Sequence, residues 1–235
     1  MATRDHLRAL IELADQDKRI QRLQTKLSGL QDQKRQTQTK IDSEQAKIDK
    51  KRQDLRDFQL QSREVSDEVD DLDAKIRQHQ RQLDEGLLSF KEMETARERI
   101  QHNRERMESL EDEALELMDQ VEAREAEMAE EQGRFDDWKA RMDEDLTAIQ
   151  ADIDAQETKL ADAQAKREEL AEAVEERLYE RYERLRGELS DPVVPMREGR
   201  CTGCQLGLSE TTIERVREGS DLVTCENCMR ILYAS

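Results

Sequence analysis

The fold is decided by Asp84-Glu85-Gly86-Leu87-Leu88-Ser89-Phe90-Lys91-Glu92, which interrupts two long helical patterns. Gly86 suits the left-handed conformation that commonly follows a helix C-terminus. Ser89 and Glu92 have the spacing of a capping box, in which each side chain bonds to the backbone N–H group of the other residue. Two helices joined by so short a turn run antiparallel. The stretch therefore predicts a helical hairpin that turns near 84–89.

Apolar residues recur at alternating steps of three and four on both sides of this turn. Before it, the steps run through Ile20, Leu23, Leu27, Leu30, Lys34, Thr37, Ile41, Glu44, Ile48, Lys51, Leu55, Phe58, Ser62, Val65, Val69, Leu72, Ile76, His79 and Leu83. After it, they run through Met93, Ala96, Ile100, Asn103, Met107, Leu110, Ala114, Leu117, Val121, Arg124, Met128, Glu131, Phe135, Trp138, Met142 and Ile149. So long a repeat predicts a coiled coil. Near Asp145 two steps of four adjoin, which predicts a stutter that locally unwinds the supercoil.

Folding the chain at residues 86–89 aligns the two patterns, because it pairs residues whose numbers sum to about 176. The alignment places Ile41 opposite Phe135, and it brings polar seam positions together as Lys51 with Arg124 and Glu44 with Glu131. These layers carry like charges, so they either soften the coiled coil or bend it. The pattern predicts one alignment along the whole hairpin.

Composition agrees with long helices. Hydrophobic residues make up 35% of the chain, charged residues 41% and aromatic residues 3%. This apolar content suits a narrow seam between helices better than the core of a compact domain. We expect an elongated hairpin over residues 1–190, with helices spanning roughly 5–85 and 89–188. The end of the second helix has a broader apolar set, which we expect to seat the C-terminal domain beside Leu7, Leu10, Ile11 and Leu13: Leu178, Tyr179, Tyr182, Leu185 and Leu189.

The chain closes with two Cys-x-x-Cys knuckles, formed by Cys201 with Cys204 and by Cys225 with Cys228. This spacing is typical of a zinc ribbon in which four thiolates bind one Zn²⁺ ion in a closed, structural site. Disulfides are the alternative, but a bond inside each knuckle would close only a tiny loop. The sequence predicts a zinc ribbon over residues 191–235.

Secondary structure within the ribbon follows local signals. Leu222-Val223-Thr224 and Arg230-Ile231-Leu232-Tyr233 predict short strands. Residues between the knuckles predict a short helix capped by Ser209, with Gly219 in the turn before the returning strand. A domain of this size buries little apolar surface, so we expect metal binding and folding to be coupled.

This organisation resembles a bacterial family of coiled-coil zinc-ribbon proteins, and the resemblance covers nearly the whole chain. It is most specific in the two knuckles and in the C-terminal run Cys225-Glu226-Asn227-Cys228-Met229-Arg230-Ile231-Leu232-Tyr233. Lys91 and Glu92, at the start of the second helix, are similar as well. Met229 stands where the family pattern has glycine.

The resemblance implies a binding protein. One flagellated group uses its member as a chaperone-like partner of an alternative sigma factor and as a binder of flagellin messenger RNA, and a chlamydial member contacts secretion components. We therefore expect a non-enzymatic, adaptor-like protein that binds protein partners. A transcription-linked or RNA-binding regulator and a structural spacer are the alternatives.

Charge bears on the RNA alternative. The formal net charge is −18, and residues 86–190 contain 16 basic against 32 acidic side chains, so most of the second helix repels phosphate. Candidate partner or nucleic-acid contacts in the ribbon are Arg197, Arg200, Arg215, Arg217, Arg230 and Tyr233. The Lys47, Lys50, Lys51 and Arg52 cluster lacks interleaved aromatic residues and reads better as a solvated helix face.

Other classes of function find little support in the sequence. It contains no pairing of a nucleophile with a base, no phosphate-binding glycine loop and no catalytic metal constellation, so we expect neither an enzyme nor a small-molecule substrate. It also contains neither a signal-peptide pattern nor an apolar run of membrane length. We expect a cytoplasmic protein in which the cysteines are reduced. The sequence leaves open whether it is a monomer or a homodimer.

Overall fold

The computed structural model describes residues 2–86, 88–219 and 221–234. Two helices of 83 residues form the hairpin: α1 (Ala2–Asp84) and α2 (Phe90–Glu172). The remaining elements are α3 (Glu176–Glu188), β1 (Val193–Arg197), β2 (Arg200–Cys201), α4 (Glu210–Glu218), β3 (Val223–Thr224) and β4 (Ile231–Ala234). The predicted fold class, a long coiled-coil hairpin followed by a small ribbon, is confirmed. In the described part of the chain, no helix combines the length and apolarity needed to cross a membrane.

Contacts divide the chain into two compact units. One unit, the terminal unit, contains Met1–Arg35 and Thr147–Ser235, and so joins the start of α1 and the end of α2 to the ribbon. The other, the central unit, contains Gln36–Leu146 and so includes the hairpin turn.

The turn has the predicted local chemistry. Gly86 has a φ of +66°, in the left-handed region that glycine adopts at little cost. The Ser89 backbone N–H donates to the Glu92 carboxylate at 2.8 Å, and the Glu92 N–H donates to Ser89 Oγ at 3.4 Å. The hydrogen bonds with Ser89 lower the pKa of Glu92. The capping box is confirmed, while Leu87, which belongs to the predicted turn, lies outside the described residues.

Burial follows the predicted steps of three and four. Buried seam residues in the central unit include Ile41, Ile48, Ser62, Leu72, Ile76, Ala96, Ile100, Ala114, Leu117 and Phe135. Lys51 and Arg124, the polar seam positions, are exposed. On α2 the less exposed positions pass from Trp138 to Met142, then to Leu146, and then to Ile149. The two adjoining steps of four confirm the predicted stutter.

Contacts between the helices of the central unit differ from the predicted alignment by a few residues. Near the turn Arg106 pairs with Glu68, and their numbers sum to 174, against the predicted 176. Farther away, Lys51 pairs with Glu131, and their numbers sum to 182. Lys51, Arg124 and Glu131 line one cavity, so the predicted neighbours Lys51 and Arg124 lie near each other while the salt bridge forms with Glu131.

The salt bridge corrects the predicted charge of the polar layers. Lys51 Nζ donates to the Glu131 carboxylate, at 2.5 Å to Oε1 and 2.6 Å to Oε2, so a residue of one predicted like-charge layer pairs with an opposite charge from the other. Arg124 instead stacks 4.2 Å from the centre of the Phe58 ring, and Glu44 accepts from Lys47 on its own helix. An ion pair and a cation–π contact thus offset the like charges that the predicted layers would have brought together.

The second long helix ends earlier than predicted. It stops at Glu172, and the chain turns through residues 173–175 before α3 begins. Arg167 bonds to Glu183 across this break. In one continuous helix these residues would be about 24 Å apart at 1.5 Å per residue, so the chain must fold back between them. Val174 is buried at the break, and its burial stabilises the turn without glycine or proline.

The predicted seat for the ribbon is confirmed within the terminal unit. Its core consists of Leu10, Leu13, Ala14, Val174, Tyr182, Val193 and Ile231, with Leu7, Ile11, Leu178, Tyr179, Leu185 and Tyr233 packed around it. Leu189, which we expected in this set, is half-buried outside that core. The first turns of α1 therefore share one core with α3 and with two strands of the ribbon.

The ribbon forms a four-stranded sheet in the order β2-β1-β4-β3. β1 runs parallel to β4 and antiparallel to β2, and β3 runs antiparallel to β4. The predicted strands at β3 and β4 are confirmed, as is α4 with its Ser209 cap and left-handed Gly219. β1 was not predicted, because its Pro195 argues against a strand that pairs on both sides.

Candidate metal centre

The two knuckles have matching backbone geometry. The N–H of Gln205 donates to the Cys201 carbonyl at 2.8 Å, and the N–H of Met229 donates to the Cys225 carbonyl at 3.0 Å. Gln205 and Met229 have φ values of +62° and +63°. Each knuckle thus turns tightly through one left-handed residue directly after its second cysteine.

The knuckles bring the four predicted ligands together. All four Sγ atoms lie within 4.8 Å of one another. The Sγ atoms of Cys201 and Cys228 are 3.8 Å apart, and those of Cys204 and Cys225 are 3.7 Å apart. Four sulfurs placed about 2.3 Å from a tetrahedral zinc ion would be separated by about 3.8 Å. The donor set therefore fits one structural Zn²⁺ ion, and none of the four cysteines forms a disulfide.

Two of these thiols are buried and therefore need a nearby cation in order to ionise at neutral pH. Cys201 and Cys225 are fully buried, and burial raises the pKa of both thiols, that of Cys201 to about 12. Thiols of this kind would be protonated at neutral pH without a compensating positive charge. A metal ion supplies that charge and is bound by the thiolates, so metal binding releases protons and stabilises the fold.

Arg230 supplies a second positive charge beside the knuckles. Its Nε donates to the Asp191 carbonyl at 2.9 Å. Burial would raise the pKa of the Cys228 thiol, but hydrogen bonds from the backbone and side chain of Arg230, together with those of Cys225 and Cys204, lower that pKa to about 6. Zinc with four thiolates carries a formal charge of about −2, so the guanidinium offsets part of the remaining negative charge. Sequence reasoning missed this role and treated Arg230 as a partner contact.

Gly203, in the first knuckle, makes room for that side chain. A Cβ atom on Gly203 would collide with Arg230 Cδ and lie only 2.7 Å from its Nε. Arg230 therefore crosses the first knuckle while it bonds to a cysteine of the second. One side chain connects both knuckles to Asp191, which lies two residues before β1.

Helix α4 is tied to the second knuckle through Glu226. Ser209 Oγ donates to the Glu226 carboxylate at 2.5 Å, and Thr212 Oγ1 donates to the same oxygen. These bonds lower the pKa of Glu226. Since Ser209 is also the N-cap of α4, the start of the helix is fixed to the loop that carries Cys225 and Cys228.

The six predicted contact residues do not share one surface. Arg197 and Arg200 are exposed and face each other across the β1–β2 hairpin. Arg215 and Arg217 are exposed on α4, and Arg215 pairs with Asp221 at 3.3 Å. Arg230 faces the knuckles, and Tyr233 packs against the terminal core. Four arginines thus remain on the ribbon surface.

Comparisons with known proteins agree with this architecture. A family model described as a CT398-like coiled coil hairpin domain matches residues 9–190, and one described as a C4-type zinc ribbon domain matches residues 200–232. No curated protein matches the sequence.

Solved structures show the same fold at low sequence identity. The CT398 protein of Chlamydia trachomatis aligns with a TM-score of 0.83 at 21% identity, covering 100% of this chain and 99% of that one. A Mycobacterium smegmatis protein gives 0.71 at 22% identity, covering 99% and 98%. The HP0958 protein of Helicobacter pylori gives 0.54 at 22% identity, covering 98% and 97%.

Proposed function

Because the chain belongs to the family of CT398-like coiled-coil hairpin proteins with a C4-type zinc ribbon, we propose that it is a non-enzymatic, chaperone-like adaptor that binds other proteins in the cytoplasm. The observation that carries the proposal is the closed set of four sulfurs at the end of a long helical hairpin. A metal with four protein ligands has no position for substrate or water, so it holds the ribbon in shape.

The distribution of surface supports a protein partner. A hairpin of two long helices has a large solvent-facing area relative to its core, and the helices alone span about 120 Å each at 1.5 Å per residue. Most of the charge on α2 is negative, which disfavours phosphate and favours a basic or mixed protein surface.

Affinity capture with and without nuclease treatment tests this proposal. The zinc-loaded full chain is immobilised and exposed to cytoplasmic extract, and the bound proteins are identified by mass spectrometry. We expect a reproducible set that survives nuclease treatment and is displaced by free full chain. A set that disappears with nuclease, or no enriched protein, would contradict a protein-binding function.

RNA binding by the ribbon is the second candidate. Arg197 and Arg200 lie in register on neighbouring strands and are both exposed, which presents two guanidinium groups from one hairpin. RNA bound there would dissociate steeply as salt increases. Substituting Arg197 and Arg200 with glutamine would weaken RNA binding but leave nuclease-resistant protein partners bound.

A further inference from the structure

The middle of α2 contains two large apolar side chains that are exposed and lie outside the seam with α1. Leu115 is 61% exposed and Met118 is 56% exposed. Their neighbours in sequence, Ala114 and Leu117, are buried in the seam. The apolar surface of α2 is therefore wider here than contact with α1 requires, and exposed apolar positions of this kind mark interaction surfaces.

Acidic residues extend the same exposed stripe at both ends. Glu111, Leu115, Met118 and Glu122 follow each other at steps of four, three and four, so they lie along one face of the helix, and all four are exposed. Residues 108–131 contain eleven acidic residues and one basic residue, Arg124. Among the described residues, no salt bridge neutralises Glu111 or Glu122.

We propose that this stripe, the α2 stripe (Glu111, Leu115, Met118 and Glu122), binds a basic amphipathic helix of a partner protein. The partner would place two apolar side chains against Leu115 and Met118 and lysine or arginine beside the glutamates. This inference rests on the proposed function, because it assigns a surface and a partner chemistry to the adaptor.

Charge selects this partner over the other candidates. A second copy of the chain would bring one strongly acidic stretch against another, and the repulsion opposes association through this face. Nucleic acid is excluded for the same reason. A basic helix instead gains attraction along the stripe and buries the two apolar side chains, and Met118 can adapt its shape to different partners.

A synthetic peptide tests the stripe directly. The probe is a fluorescent helical peptide of about 20 residues, with leucine at steps of three and four and lysine at the flanking positions. Its anisotropy is measured against the zinc-loaded full chain. We expect saturable binding that weakens with added salt, and we expect no binding of the same peptide with glutamate in place of lysine.

Two variants locate the binding. The double variant Leu115→Gln/Met118→Gln should weaken peptide binding by about tenfold or more, because both apolar contacts are lost. Leu60→Gln is the matched control, since Leu60 is 55% exposed on α1 and lies outside the stripe. It should change binding by less than about twofold. All three positions are exposed, so circular dichroism should show unchanged helix.

Several results would overturn the proposal: no binding by the unmodified chain, equal binding of the glutamate peptide, or equal losses in the double variant and Leu60→Gln. If the double variant still captures the nuclease-resistant partners of the unmodified chain, the stripe is wrong while the adaptor function stands. If the unmodified chain captures no protein, the adaptor function itself fails.

Discussion

Because Gly203 has no side chain, Arg230 has room beside the metal centre. Arg230 occupies the space that a Cβ atom would take, and from there it reaches both Asp191 and Cys228. Residues that orient and neutralise metal ligands from outside the ligand set change metal affinity even though they never touch the metal.

Gly203→Ala should therefore weaken zinc binding, because the new methyl group displaces Arg230. We expect a decrease of about tenfold, the lower end of the range for residues that support metal ligands. Competition with a chromogenic chelator measures it. Gly207→Ala is the control, since no atom lies within 4 Å of a Cβ built there. Equal zinc affinity in the two variants would show that Arg230 does not support the site.

Met229 carries a side chain although its backbone has a left-handed conformation that favours glycine. Its φ is +63°, and its side chain is 53% exposed, so packing compensates little. Met229→Gly should stabilise the zinc-loaded ribbon by about 0.5–1 kcal/mol, the relief of left-handed strain less the entropy that glycine loses on folding. Denaturant unfolding of the ribbon measures this change. A lower midpoint would mean that the methionine side chain stabilises the ribbon.

At the scale of helices, pairing of charged residues fixes the alignment. Lys51 and Glu131 are neighbours, and their side chains are 53% and 21% exposed, so the pair is partly screened. A double-mutant cycle of Lys51→Glu and Glu131→Lys should give a coupling free energy of about 0.5–1 kcal/mol from urea unfolding. A cycle of Lys51→Glu with Arg124→Glu should give a smaller coupling free energy, because Arg124 stacks on Phe58 and has no salt bridge with Lys51. Coupling to Arg124 as large as coupling to Glu131 would contradict the salt bridge as the main contact of Lys51.

Sequence patterns predict the features that depend on residues close together in the chain. They do not predict the features that depend on contacts between helices or strands. Periodicity located the buried residues of both helices, and turn chemistry located Gly86 and the Ser89 capping box. The four cysteines were evident from spacing alone. An apolar repeat fixes the alignment of two helices only to within a few residues, so the pairing of Lys51 with Glu131 could not be predicted from periodicity. Strand β1 forms by pairing with β4, and its Pro195 argues against a strand when the sequence is considered alone.

A network of side-chain hydrogen bonds holds helix α3 in place, and no local sequence pattern predicts this network. Tyr182, fully buried, donates to Asp17 at 2.6 Å, and Arg167 donates to the other oxygen of Asp17 at 2.6 Å. Burial and then the bond to Asp17 raise the pKa of Tyr182. One carboxylate on α1 thus connects the end of α2 to α3 across the break at residues 173–175.

Asp17→Ala should release α3, because it leaves the partly buried Arg167 charge and the buried Tyr182 hydroxyl without this acceptor. We expect a loss of about 2–3 kcal/mol in unfolding free energy, somewhat below the range for a broken buried ion pair, because Glu183 still accepts from Arg167. Hydrogen exchange of the α3 amides measures it. Asp15→Ala is the control on the exposed side of the same turn. Equal exchange in both variants would show that the network does not hold α3 in place.

At the scale of the whole molecule, the metal centre and the start of the chain depend on one core. Val193 of β1 and Ile231 of β4 pack with Leu10 and Tyr182. We expect the ribbon to lose its strands without its metal, since so small a domain buries too little apolar surface to fold alone. Loss of zinc should therefore loosen helix ends far from the cysteines in sequence.

Zinc removal by a chelator, or Cys225→Ser, should produce the same pattern of hydrogen exchange. We expect faster exchange in the ribbon, in α3 and in the first turns of α1 around Leu10, because they lose a shared core. Residues 36–146 form their own compact unit and should exchange as before. Most of the helical circular dichroism should remain for the same reason. Cys225→Ser with full zinc and an unchanged ribbon would contradict the four-cysteine site, and faster exchange throughout residues 36–146 would contradict the independence of the central unit.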